Sequence, residues 1–185
     1  PRHATALRQH VPAHRPLLLF LVTEDWYFVS HRLALAEAAV AAGYRVVVAC
    51  RVQAHGDQLT AAGCEVRALG WRRAGNDLLD HWRAWREILR LYRELRPDLV
   101  HHVALKPVVF GGLAARRAGV TRVVSAVAGL GFVFSSGSLR ARMLRPLLRW
   151  LLALALRGDR HRVIVQNQDD WDTVVRDGLV PEERV

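Results

Sequence analysis

The sequence predicts an α/β protein, a doubly wound parallel sheet, on two observations. Short apolar runs alternate strictly with helical segments along the chain, which is the pattern of strands buried on both faces and covered by crossover helices. Glycine recurs just past the helical segments, at Gly43, Gly63 and Gly119, where a helix ends in a left-handed residue. The length of 185 residues fits one domain with a substantial core.

Leu17 to Val22 is a continuous apolar run and reads as the first strand. The His/Arg/Pro-rich residues 1–16 before it read as a disordered or trimmed tail. Ser30 is the expected N-cap of a helix that runs through an alanine-rich stretch to Ala42. Tyr44 to Cys50 gives a second strand, Asp57 to Ala62 a short helix, and Cys64 to Leu69 a third strand. Asp77 opens a long helix to about Arg96, because Leu78, Trp82, Trp85, Leu89 and Tyr92 recur at three- and four-residue steps. Pro97 stops it. Asp98 to Val103 and Arg122 to Val127 are the fourth and fifth strands, with a helix from about Pro107 to Ala118 between them. A glycine-containing loop, Ala128 to Ser138, leads to a helical region from Leu139 to Leu156, which Pro146 is expected to kink or restart. Arg162 to Val165 is a sixth strand and Asp169 to Asp177 a last helix.

Composition narrows the partners. Lys and Arg number 27 against 17 acids, giving a net charge of +10 and a pI near 11.2. Such a surface suits phosphate on nucleic acid, anionic lipid or a diphosphate substrate. No Lys/Arg cluster with interleaved aromatics matches a nucleic-acid motif, so nucleic acid is not expected as a partner. Cys50 and Cys64 are too few for a disulfide framework and read as small hydrophobes in a reducing cytosol. No apolar stretch is long enough to span a membrane, and no secretory signal is seen.

Ligands of open parallel sheets sit outside the C-terminal strand ends. The first such segment, Thr23 to Arg32, lacks a G-x-G-x-x-G turn, which argues against a dinucleotide enzyme. It offers Asp25, Trp26, and Ser30, His31 and Arg32 at the expected helix start. These residues either hold a phosphate or form a hydrophobic staple of Trp26 and Phe28 with a capping serine. After the fourth strand, His101 and His102 face opposite sides of the sheet, and Lys106 precedes a proline-initiated helix. One histidine can serve a sugar hydroxyl or carry a proton, or both can be structural. Gly129 and Gly131 allow close backbone approach to a ligand or tight loop packing. No Cys/His metal spacing, H-E-x-x-H or G-x-S-x-G elbow is present, so no metal or catalytic serine is expected. Arg142, Arg145 and Arg149 line one side of a Leu/Trp-rich helix that carries Trp150, a pattern expected to lie on an anionic membrane or to pack as a core helix with a solvated arginine stripe.

In these same segments the sequence resembles family 4 glycosyltransferases of the GT-B fold, nearest to bacterial enzymes that extend polyprenyl-diphosphate-linked glycans. The matching residues are Asp25-Trp26 with Ser30-His31-Arg32, Pro97-Asp98 with His101-His102, and Lys106-Pro107. Gly111 to Arg116 with Ala118 to Val120, Gly129 to Phe134, Gln166-Asn167 with Asp169-Asp170, and Gly178 to Val180 complete the resemblance. It departs at Ala128, where that branch has Thr, and in having the Asp-Trp form after the first strand instead of a Gly-rich turn.

The resemblance implies a retaining sugar transfer from a nucleotide-sugar donor, with no metal ion and no other cofactor, to a lipid-linked glycan acceptor in surface polysaccharide or glycoprotein synthesis. It implies substrate contacts at Asp25, Trp26, Ser30, His31, Arg32, His101, Lys106, Gly129, Gly131 and Asn167, and names His102 as the sugar-orienting residue. Residues 17–185 correspond to the N-terminal, acceptor-side half. The donor-binding domain, with its paired glutamates, is expected beyond Val185, so the chain alone is expected to be inactive. Location at the cytoplasmic face of the plasma membrane follows from the same resemblance. Two other readings remain: a non-catalytic subunit that recruits a separate donor-binding chain to the membrane, and half of a GT-B sugar-nucleotide epimerase.

Overall fold

The structure is a computed structural model, and it describes residues 15–70, 78–127, 130, 139–176 and 178–185. The strands are β1 (Leu17–Glu24), β2 (Arg45–Arg51), β3 (Glu65–Ala68), β4 (Leu99–Val103), β5 (Val123–Val127) and β6 (His161–Val165). The helices are α1 (Asp25–Ala41), α2 (Gly56–Ala61), α3 (Leu78–Leu95), α4 (Leu105–Ala118), α5 (Leu139–Ala155) and α6 (Gln168–Trp171), the last running on as a π-helical turn, Asp172–Arg176. All six strands pair in parallel in the order β3-β2-β1-β4-β5-β6. The chain reverses its winding between β1 and β4, which makes the ends of those two strands the switch point.

The apolar run of β1 forms a strand because neither of its faces meets water. Leu18, Phe20 and Val22 of β1 pack with Phe28 and Ala36 of α1 and Leu59 of α2. Leu19 and Leu21 point the other way, onto Ile88, Leu91 and Tyr92 of α3 and Ala114 of α4. A third cluster joins Val108 of α4, Val127 and Val163 of the sheet, and Leu152 of α5. Cys50 and Cys64 are free and buried in the α1/α2 layer, as small hydrophobes, and burial pushes the Cys50 thiol up to about 12.

The first helix differs from the sequence expectation. It starts at Asp25, so Ser30 is no N-cap but an interior residue whose hydroxyl donates back to the Trp26 carbonyl at 2.9 Å. The reason is tertiary. The fully buried Asp25 carboxylate accepts four backbone N–H groups, from Trp26, Gln53, Ala54 and His55, at 2.7–2.9 Å. That fixes the chain direction one residue after β1. Pro146 also differs: it sits inside α5, which runs unbroken from Leu139 to Ala155. Asp77 and the loop Ala128 to Ser138, Leu130 apart, lie outside the described residues.

Helix α4 approaches the sheet closely because it carries glycine at its contact points. A Cβ on Gly111 would stand 2.6 Å from His102 Nε2 and 2.6 Å from Leu21 Cδ2, both in the buried layer. Gly111→Ala is therefore expected to destabilise the fold by about 2 kcal/mol, since an extra methyl in a packed core forces backbone shifts. Urea unfolding of the variant beside the parent chain measures the loss.

Candidate functional site

The C-terminal ends of β1, β2 and β4 gather an unusual number of polar groups in a largely apolar setting. Glu24 ends β1 and is only 4% exposed. Its Oε2 accepts from the Gln53 side-chain amide, and its Oε1 lies 3.7 Å from Arg51 without a hydrogen bond among the described residues. Burial would raise the pKa of Asp25, yet the four amides that converge on it hold it below the ordinary carboxylate value. Both oxygens are used, Oδ1 by Trp26 and Oδ2 by Gln53, Ala54 and His55. Asp25 thus pins the β2–α2 loop to the β1–α1 junction, and its carboxylate is spent on backbone.

The remaining residues of the first segment separate by helical phase. Phe28 and Arg32 lie three and seven residues after Asp25, on the row of α1 that faces the sheet. Trp26 is 39% exposed and meets Tyr27 edge-on. His31 is exposed, stacked on Tyr27 at 4.3 Å, with Nδ1 3.1 Å from the Tyr27 carbonyl. Arg32 is half-buried, and its Nε is fully enclosed without a hydrogen bond among the described residues. The phosphate cradle expected from free amides at Ser30 to Arg32 is absent, because those residues lie within the helix.

The two histidines do face opposite sides of the sheet, and both are buried. His101 packs against Phe20, 5.2 Å between rings, on the α1 side. Its Nε2 makes no hydrogen bond among the described residues. Burial, with Arg32 adding repulsion, lowers its pKa to about 4, so it is neutral at pH 7. His102 corrects the sequence reading. It lies with 0% exposure under α4, bonded through Nε2 to Tyr92 Oη at 2.9 Å and through Nδ1 to Ser125 Oγ at 3.3 Å. Ser125 continues to His161 Nε2 at 2.9 Å. A histidine with both nitrogens engaged beneath a helix is a structural group and does not orient a sugar in the crevice.

At the end of β4 the chain turns through Ala104 at φ +78°, a conformation that costs a non-glycine residue about 1–3 kcal/mol. The turn delivers Lys106 to the first turn of α4, half-buried, with its pKa lowered by burial and Asp80 acting in the opposite sense. Asn167 caps α6: its Oδ1 accepts from the Asp170 N–H at 2.8 Å, and its amide donates to the Asp170 carboxylate at 3.0 Å. Gly129 and Gly131 lie outside the described residues, as does the Arg142 side chain. On α5, Trp150 is 61% exposed, in a row with Met143 at 80% and Leu147 at 52%. Arg145 and Arg149 are half-buried and lie on the other side of the helix from that row, with Arg145 Nε enclosed, so the outermost face of the helix is apolar.

The structure therefore brings Arg32, His101 and Glu24 to the switch point and leaves Ser30, His31 and Trp26 on the outer side of α1. Glu24 escaped the sequence reading. An acid closing an unbroken apolar run was the signal that could have found it. No group of three or more His, Cys, Asp or Glu among the described residues is placed to hold a metal ion. No described helix is long and apolar enough to cross a membrane.

A family model described as "Glycosyl transferase 4-like" matches residues 18–167. No curated protein matches the chain. Among solved structures, a UDP-N-acetylglucosamine 2-epimerase superposes with TM-score 0.63 at 17% identity, over 92% of this chain and 47% of the other. Sucrose-phosphate synthase from Thermosynechococcus elongatus gives 0.61 at 14% identity, over 89% and 45%. MurG from Acinetobacter baumannii gives 0.50 at 18% identity, over 70% and 39%. The chain thus spans less than half the length of each of these structures, and at such identities the likeness is one of fold.

The buried histidines make a pH prediction. His101 and His161 sit near 4 in the fold, against 6.5 in an unfolded chain, and burial also holds His102 well below its ordinary value. The stability they contribute is complete above about pH 6.5 and is lost as pH falls toward 4, because the unfolded chain takes up protons that the fold excludes. Thermal melts at pH 7.5 and pH 5 should show the lower Tm at pH 5, and His101→Asn should shrink the difference.

Proposed function

This chain belongs to the glycosyl transferase 4-like family, and from that premise we propose that it is the acceptor-side domain of a retaining glycosyltransferase. In this reading a sugar passes from a nucleotide-sugar donor to a lipid-linked glycan in surface polysaccharide or glycoprotein synthesis. The donor is held mainly by a second domain, in the same chain or in a separate subunit. Neither a metal ion nor another cofactor takes part. The work is done at the inner face of the plasma membrane.

One observation carries the reading: Arg32 Nε and His101 Nε2 are enclosed without hydrogen bonds among the described residues, in elements that meet at the β1/β4 switch point. Enclosed donors and acceptors without partners are costly, and a polar ligand removes the cost. A neutral His101 beside a permanent Arg32 charge suits a hydroxyl next to a phosphate. His101 thus takes the orienting role first expected of its neighbour, and Arg32 takes the charge. Lys106 adds a second cation on the α4 side. Gly129 and Gly131, whose loop follows β5, remain candidate backbone contacts to the same ligand.

The lipid part of the reading is supported by α5. Met143, Leu147 and Trp150 form an exposed apolar row. An interfacial helix buries such a row among acyl chains.

The test supplies a labelled nucleotide sugar, a polyprenyl-diphosphate-linked sugar in detergent, and the chain with or without its donor-binding partner. Label is expected in the lipid only when both halves are present, with the anomeric configuration of the donor retained. His101→Ala or Arg32→Ala should lower kcat/KM by roughly tenfold or more, the loss expected of a group aimed at the reacting sugar. Inverted product, or free epimerised nucleotide sugar with no labelled lipid, would overturn the proposal. A complex that transfers sugar normally when the chain's own polar atoms at the switch point are removed would instead favour a non-catalytic recruiting subunit.

Membrane docking is checked separately. Replacing Met143, Leu147 and Trp150 together with Ser should abolish co-sedimentation with phosphatidylglycerol vesicles.

A further inference from the structure

Arg32 and His101 are joined at the strand ends by a third residue with an enclosed polar atom that makes no hydrogen bond among the described residues, Glu24 through its Oε1. A carboxylate oxygen without a donor inside a protein is costlier than a neutral atom in the same position, because the charge has lost its water. The side chain is held in place, since Oε2 accepts from the Gln53 amide and only 4% of the residue is exposed. Arg51 Nη1 stands 3.7 Å from Oε1, too far for a hydrogen bond, and the Arg51 side chain is 42% exposed.

The backbone of β1 aims this acid. Leu19 and Leu21 lie opposite Val47 and Ala49 of β2, and all four pack in the layer of α3 and α4. Simple alternation would turn Glu24 the other way, with Phe20 and Val22 toward α1. The register shifts between Leu21 and Glu24, so Glu24 lies opposite Arg51 and shares its face, which is that of Leu21 and Ala49. An extra residue in a strand re-aims a side chain, and such bulges gather beside functional sites. His101 pairs with Phe20 and points to the α1 side, where Arg32 lies. The end of β1 is thus flanked by a neutral histidine and a cation on one side. On the other stand a carboxylate and a half-exposed guanidinium.

The two sides differ in charge. Asp25, next in sequence, is met by four backbone amides, yet its charge and that of Glu24 are still felt nearby: after burial, they are what raises the Cys50 thiol to about 12. A phosphate is drawn to Arg32 and kept from Glu24. We propose that Glu24 is a specificity-determining residue, which with Arg51 takes a hydroxyl of the acceptor's terminal sugar and turns away a sugar that carries a carboxylate. A hydroxyl fits because it donates to Glu24 Oε1 and accepts from Arg51 at once. The 3.7 Å between those two atoms leaves an oxygen room to sit at about 2.7–2.9 Å from each. Arg51, half exposed, has the freedom to swing aside and admit it. The assignment rests on the transferase reading above and names the charge class of sugar that the site accepts.

The experiment is isothermal titration of the chain with glucose linked to farnesyl diphosphate and, separately, with glucuronic acid linked in the same way. The two ligands differ only in a hydroxymethyl against a carboxylate. The glucose ligand should bind roughly tenfold or more tightly, since like charges set close together inside a protein repel strongly. Glu24→Gln keeps the shape and an acceptor for Gln53, and should weaken the glucose ligand while strengthening the glucuronic acid ligand, so that the gap closes. Arg51→Ala should widen the gap by removing the cation that offsets Glu24. Circular dichroism and Tm confirm the fold of both variants. An acid with a merely structural role would change both affinities alike, and that result overturns the proposal. Equal affinity of the parent chain for the two ligands, or no binding of either, also overturns it. Label transfer with no such gap counts against the role of Glu24 alone, whereas a gap without label transfer counts against the transferase reading.

Discussion

A buried chain of hydrogen bonds ties helix α3 to three neighbouring strands of the sheet, β4, β5 and β6. Tyr92 of α3, His102 of β4, Ser125 of β5 and His161 of β6 are linked in sequence through distances of 2.9, 3.3 and 2.9 Å. The His161 ring also donates to the Arg157 backbone, which leaves its Nε2 to accept from the Ser125 hydroxyl. The order of donation is then set: Ser125 accepts from His102 Nδ1, and His102 Nε2 accepts from the Tyr92 hydroxyl. Every polar atom along the line is satisfied only if both histidines are neutral. Burial enforces that neutrality, and the chain of bonds in turn requires Gly111, because no other residue lets α4 lie so close over the ring.

The second constraint lies at the opposite face. Asp25 gathers the amides of residues 53–55 and that of Trp26, and so fixes where α1 begins and where the β2–α2 loop lies. With the β1–α1 junction fixed, the next two helical turns are fixed in phase. Arg32 is carried under the helix toward His101, and Trp26, Ser30 and His31 are carried outward. The site is thus a consequence of a structural carboxylate: the acid that looks most like a ligand group is the one that arranges the others.

The element order was legible in the sequence because it depends on local pattern. A continuous apolar run marked β1, short apolar-rich segments between helices marked the other strands, and the three- and four-residue recurrence of Leu78, Trp82, Trp85, Leu89 and Tyr92 marked α3. Glycines 43, 63 and 119 marked helix ends, and all three have positive φ. The start of α1 was not legible, since nothing local outranks a capping serine. The amides that favour Asp25 come from residues 28 to 30 positions away. The roles of the two histidines were hidden for the same reason. Alternation says that adjacent residues face opposite ways, but which face carries a helix and a tyrosine is decided by the crossovers.

The sequence by itself determined a doubly wound parallel sheet and which segments lie at the C-terminal ends of its strands. Those properties follow from hydrophobic periodicity and from chain reversal, which each segment carries within itself. The tertiary structure alone decided which polar groups are spent and which are left over. Asp25, His102 and Asn167 are consumed by backbone or buried partners, whereas His101 and Arg32 retain enclosed atoms with no hydrogen bond among the described residues. That distinction depends on partners distant in sequence, and a hydrogen bond exists only where two such segments meet.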